Sequence, residues 1–150
     1  VAAHEGSGPK RVREAFIDTN ILLRYLLDDI PEQADAVESL LKQALRGEIV
    51  LKTNAMVIAE IIWTCESYYN LPREEIRNKV LTILNTPGLV VADSDLLAGA
   101  VLIYADKNID FIDAYNGCWM KDQGVATVYT FDEKHYKRLE GIEVKAPRVQ

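Results

Sequence analysis

Short apolar runs alternate with helical patterns along the whole chain, and no two runs are joined by a hairpin turn. Strands that follow one another without hairpins must return over a face of their sheet, and a helix is the usual crossover. The alternation therefore predicts an α/β fold: a three-layer α/β/α sandwich with a mainly parallel central sheet covered by helices on both faces.

The first strand falls at 15–18 and the first helix at 19–27. Asp28-Asp29-Ile30-Pro31 breaks that pattern, and Pro31 suits the first turn of a second helix reaching about Arg46. Gly47 stops it, a short strand follows at 48–51, and Thr53 or Asn54 caps a helix over 55–69. Asn70-Leu71-Pro72 starts another helix, which Thr86-Pro87-Gly88 ends. A strand at 89–91 leads to a helix capped by Ser94 and reaching Lys107, and a further helix covers 111–121. Gly124 closes that helix, a further strand runs over 125–130, and a small helix at 134–139 and an edge strand at 142–145 complete the chain.

Residues 1–13 contain Gly, Ser and Pro without periodicity and read as a flexible tail, leaving one domain over 14–150. A chain of 150 residues can bury roughly two thirds of its unfolded surface in one core. Its 49% hydrophobic and 27% charged residues are ordinary globular composition and argue against disorder. No apolar run reaches the ~18 residues that span a bilayer, so a soluble cytoplasmic protein without membrane contact is expected. Cys65 and Cys118 lack a paired spacing, which argues against a disulfide framework or thiolate metal site and for two reduced, buried thiols. With only His4, in the tail, and His135 present, a histidine-based metal site or a Ser-His-Asp triad is not expected. The net charge of −6 counts against a basic nucleic-acid surface, yet carboxylates gathered on a metal would produce the same sign.

The acids carry the functional signal. In Ala15-Phe16-Ile17-Asp18-Thr19-Asn20 an apolar strand ends in Asp18, where open α/β sheets keep their chemistry; a plain helix cap is the alternative reading. Glu60 has Met56, Val57, Trp63 and Thr64 one turn away, so it is expected among mostly apolar side chains. Asp110-Phe111-Ile112-Asp113-Ala114 sets two acids at a helix start, where the dipole favours negative charge. Capping explains Asp110 more easily than Asp113, which has little basic charge nearby in sequence. Asp132, in Tyr129-Thr130-Phe131-Asp132, is again an acid at a strand exit. Acids so placed need a common counter-charge, and oxygen ligation without Cys or His points to Mg²⁺ or Mn²⁺. A cation held with open positions suits phosphodiester hydrolysis.

These segments, in this order, resemble the PIN-domain nucleases, and most of all the ribonuclease toxins of prokaryotic toxin-antitoxin pairs. The likeness covers about 15–145. It implies that Asp18, Glu60 and Asp113 are the central metal-binding acids, with Asp132 the fourth and Asp110 auxiliary. Thr19, Asn20 and Thr130 are then supporting residues that hydrogen-bond the acids or the attacking water. The resemblance also implies Mg²⁺- or Mn²⁺-dependent endoribonuclease activity on an RNA substrate, a homodimer, and inhibition by a cognate antitoxin protein. Tyr115, Asn116, Trp119 and Met120 make the Asp113 helix bulkier than is common in the family, which bears on specificity and partner choice.

Candidate RNA contacts are Arg24, Lys52 and the run Lys134, His135, Lys137 and Arg138, although a solvated helix face accounts for most of them. Trp63, Tyr68 and Tyr69 could stack on bases or form an interface, but Trp63 is expected in the core. Two other functions are open: a catalytically inactive PIN-like module that binds RNA or protein, and a phosphatase or phosphoacceptor with Asp18 as nucleophile. The second is weakened because no Asp stands two places after Asp18.

Overall fold

The computed structural model describes residues 12–150, so His4 and nearly all of the expected tail lie outside the described residues. Among the described residues, six α-helices and five β-strands follow in the expected alternation. Strand β1 (Arg13–Phe16) is followed by α1 (Thr19–Leu27) and α2 (Pro31–Leu45), then β2 (Ile49–Thr53), α3 (Ala55–Ser67) and α4 (Arg73–Leu84). Strand β3 (Leu89–Val91) leads to α5 (Ser94–Lys107) and α6 (Phe111–Gln123), and the chain ends through β4 (Thr127–Tyr129), a 3-10 turn (Tyr136–Arg138) and β5 (Glu143–Lys145).

Among the described residues all strand pairing is parallel, in two sheets: β1-β2-β3, and β4-β5. The β1-to-β2 and β2-to-β3 crossovers each carry two helices, as parallel neighbours require. The core is one continuous apolar cluster in which Leu51 of β2, Ile58 and Ile61 of α3, Ile76 and Val80 of α4, and Leu97, Val101 and Tyr104 of α5 are fully buried.

Boundaries moved where the backbone had another partner. Strand β1 starts at Arg13, within the stretch assigned to the tail. Strand β4 begins at Thr127 instead of Val125, because the Val125 N–H closes α6 by donating to the Met120 carbonyl at 2.8 Å. Ser94 is the first residue of α5 and not its cap; Asp93 holds that position at φ +58° without a side-chain cap bond. Asn54 caps α3 by accepting from the Val57 N–H at 3.2 Å, which frees Thr53 to donate to the Ile17 carbonyl at 3.0 Å.

Two glycines permit close approach. Gly88, at φ +84°, would bring a Cβ within 2.7 Å of the Ala44 backbone, so the end of α2 can sit directly on the turn into β3. Gly117, buried in α6, leaves room for Leu139; a Cβ there would meet its Cδ1 at 2.6 Å. The segment carrying His135, Tyr136 and Leu139 therefore lies against α6 one turn from Asp113.

Candidate functional site

Asp18 and Asp113 are both acids at helix starts, but the chain positions them differently. Asp18 follows the end of β1 and is the N-cap of α1, its Oδ1 accepting from the Thr19 N–H at 2.8 Å. The plain capping role is thus present, and the exposed carboxylate keeps its second oxygen. Thr19 is 4% exposed and its hydroxyl has no hydrogen-bond partner among the described residues. Such a buried hydroxyl is costly unless something completes it. Asn20 is exposed on the first turn of the same helix.

Asp113 stands in the first turn of α6, and Asp110 occupies the N-cap position of that helix without making a side-chain cap bond. Its carboxylate instead lies 3.9 Å from Arg73 Nη2 and 3.5 Å from His135 Nδ1. Asp113 Oδ2 is 2.9 Å from His135 Nδ1. The ligand atoms of Asp110, Asp113 and His135 all lie within 4.8 Å of one another. Two carboxylates and an imidazole at that separation are a donor set that could hold a divalent cation, although it is not the all-oxygen set of four acids expected from the sequence.

This is the only such group among the described residues, and Asp18, Glu60 and Asp132 are not part of it. The structure brings Asp110 and Asp113 together and adds His135, a residue type not expected at a metal site from its scarcity in the chain. Asp113 also has the basic neighbour it was expected to lack. The signal that could have found His135 is Gly117, one turn along α6, which marks where a distant segment comes close.

Asp132 follows β4 in a tight turn: its N–H donates to Thr130 Oγ1 at 3.0 Å, and that hydroxyl donates to the Asp132 carbonyl at 3.1 Å. Thr130 thus supports the backbone of an expected acid. The Tyr136 phenol is bonded to α6 and lies in the field of both acids. Burial first, and then the Asp113 and Asp132 carboxylates, push it above its ordinary value, while the bond from Asn116 Nδ2 at 3.0 Å pulls the other way. One of the bulky positions of α6 therefore has a local role.

Glu60 is exposed, contrary to its expected apolar setting. The buried stripe of α3 is Val57, Ile58, Ile61, Ile62 and Cys65, whereas Met56 and Trp63 are 76% and 67% exposed. Trp63 was expected in the core; it lies three residues beyond Glu60, on the solvent side of α3. It lines a recess of about 270 Å³ with Ala59, Ile62 and Glu66 of α3 and residues 110–113 of α6. Glu60 itself is not among the residues that line it.

Arg73 ties down the corner between α5 and α6. Its Nη1 donates to the carbonyls of Tyr104 at 2.9 Å and Ile109 at 2.8 Å, and the guanidinium lies 4.2 Å from the centre of the Tyr104 ring. Arg138 Nη1 donates to the Asn108 carbonyl at 2.7 Å from the other side. The Tyr104 hydroxyl donates to Glu66 Oε1. Burial, and then that bond, push the phenol far above its ordinary value.

Most of the candidate RNA-contacting cations are engaged. Arg24 pairs with Asp29 at 2.5 Å, Lys52 with Glu14 at 3.0 Å and Lys137 with Glu133 at 2.7 Å, as on a solvated charged surface. Cys65 is buried and Cys118 half-buried, both free, and burial pushes both thiols up. No described helix is long and apolar enough to cross a membrane.

The PIN domain family model matches residues 15–141. Among curated proteins the chain is similar to a VapC ribonuclease of Aquifex aeolicus (strain VF5), with 26% identity over 124 residues, covering 83% of this chain and 90% of that protein. No solved structure gives a significant match.

Proposed function

Because the chain belongs to the PIN-domain family, we propose that it is a metal-dependent endoribonuclease hydrolysing RNA phosphodiester bonds, and the toxin of a toxin-antitoxin pair. The observation that carries this reading is the convergence of Asp110, Asp113 and His135 within 4.8 Å, beside a recess at the start of α6. The similarity to a VapC ribonuclease supports RNA as the substrate.

Asp18, Glu60 and Asp113, with Asp132 as the fourth acid and Asp110 auxiliary, are the acids that would hold a Mg²⁺ or Mn²⁺ ion; of these, Asp110 and Asp113 stand in the group with His135, and the other three stand outside it. When bound, that ion supplies an activated water and neutralises charge developing on the phosphate. The protein's own residues do the rest. His135 would act as a positioning residue: through Nδ1, 2.9 Å from Oδ2, it orients the Asp113 carboxylate. Arg73 holds the backbone from which Asp110 projects. Thr130 fixes the turn of Asp132, and Thr19 and Asn20 supply hydroxyl and amide groups beside Asp18. The enzyme acts in the cytoplasm as a homodimer, and an antitoxin silences it by covering the acidic recess.

The test is to incubate the purified chain with structured and single-stranded RNAs in Mg²⁺, Mn²⁺ or EDTA. Cleavage in the metals that stops in EDTA and in Asp18→Asn is expected. Cleavage that persists unchanged in either would refute the mechanism. One observation favours a non-cleaving RNA- or protein-binding module instead: His135 already takes up Asp113 Oδ2. Under that second reading no metal yields cleavage, while Asp113→Asn leaves RNA binding intact.

A further inference from the structure

The recess between α3 and α6 contains two groups that the hydrolytic chemistry does not use. Trp63 is 67% exposed and has no ring partner among the described aromatic pairs. An indole face left in water beside an acidic cluster offers a stacking platform, and stacking tolerates any planar heterocycle. Glu66, three residues further along α3, lines the same recess. Its Oε1 accepts from the hydroxyl of Tyr104, which is fully buried and lies under the Arg73 guanidinium. The carboxylate is thereby oriented from below, and Oε2 makes no bond within the described residues.

The lining decides what can enter. Without a cation, Asp110, Asp113 and Glu66 keep phosphate out of the recess itself and leave it to the rim, whereas Ile62, Ile112 and Trp63 favour an apolar, planar group inside. The recess, at about 270 Å³, is slightly below the roughly 300–1,000 Å³ of sites for drug-sized ligands, so it suits a single heterocycle. An ionised carboxylate only accepts hydrogen bonds. Guanine presents adjacent N1–H and N2–H donors that match the two oxygens of a carboxylate. Adenine and cytosine each offer one amino group there, and the single imino N–H of uracil is flanked by carbonyls that a carboxylate repels.

We propose that this recess binds an unstacked guanine of the substrate, stacked on Trp63 and recognised by Glu66. Tyr104 acts as a positioning residue by holding Glu66. That the base belongs to RNA rests on the nuclease reading; the recess itself does not.

The test titrates 5′-GMP, 5′-AMP, 5′-CMP and 5′-UMP, in EDTA, into the full chain carrying Trp119→Phe. The sequence has two tryptophans, so Trp63 is then the sole indole reporter. GMP is expected to quench it saturably with a Kd about tenfold below those of the other three, a discrimination ordinary for a doubly bonded base edge. Glu66→Gln in the same chain is expected to remove that preference. Equal quenching by all four nucleotides, or none, overturns the assignment. With metal chelated, the outcome is independent of cleavage: a chain that cuts RNA without binding GMP rejects only the guanine site, and one that binds GMP without cutting rejects only the nuclease.

Discussion

The two strand-end and helix-start corners that carry the acids are built on different principles. At the β1–α1 corner Asp18 bonds to the very next residue, Thr19, and the long-range ties come from the neighbouring strand alone: Thr53 to the Ile17 carbonyl, and the Ile17 N–H to the Lys52 carbonyl. At the α5–α6 corner the bonds come from far away: Arg73 to Tyr104 and Ile109, Arg138 to Asn108, and His135 to Asp113. An acid can thus be placed by the local conformation of its own segment or by a cage of distant side chains. The second way fixes orientation more tightly and depends on the whole fold.

The contrast is sharpest in activity. Asp113→Asn is expected to lower RNA cleavage by about a thousandfold, or about 4 kcal/mol of transition-state stabilisation, with unchanged circular dichroism. If Asp18→Asn costs far more than Asp113→Asn, the caged acid is not the more important of the two. Arg73→Ala removes two charge-assisted bonds to carbonyls and the contact with the Tyr104 ring, and should destabilise the fold by roughly 3 kcal/mol in denaturant titration. Lysine at this position should restore little, since it lacks the planar fork.

His135→Ala separates orientation from obstruction. A positioning role predicts about a tenfold loss of metal affinity or cleavage with little change in melting temperature; a rise in cleavage would mean that the imidazole obstructs Asp113. The smallest effect belongs to the locally built corner. Thr53→Val should cost about 1 kcal/mol, the worth of one ordinary hydrogen bond, and thermal melts of Thr53→Val and Arg73→Ala side by side measure how differently the two corners are held.

Legibility followed the same division. The helix from Thr19 and its capping acid were readable because cap, first turn and apolar stripe lie within a few residues of one another. Asp113 was readable as an acid at a helix start, but its partner was not, because His135 is 22 residues away and reaches it only through the packing of Leu139 against Gly117. Trp63 was misread because an aromatic at helical spacing looks the same whether its stripe faces the core or the solvent. The alternation of Ile58, Ile61, Ile62 and Cys65 with Met56, Glu60 and Trp63 gives two stripes, and only neighbouring helices decide which is covered.

From its own residues, then, the chain determined what local physical chemistry controls: the parallel α/β alternation, the helix starts, and acids at strand ends and helix starts. Hydrophobic periodicity, proline and glycine geometry and capping act over a few residues, so they can be read in order. Tertiary structure decided which acids meet, that a histidine and an arginine attend them, and that an indole faces the recess. Those outcomes depend on contacts between segments far apart in the chain, for which sequence spacing carries no distance.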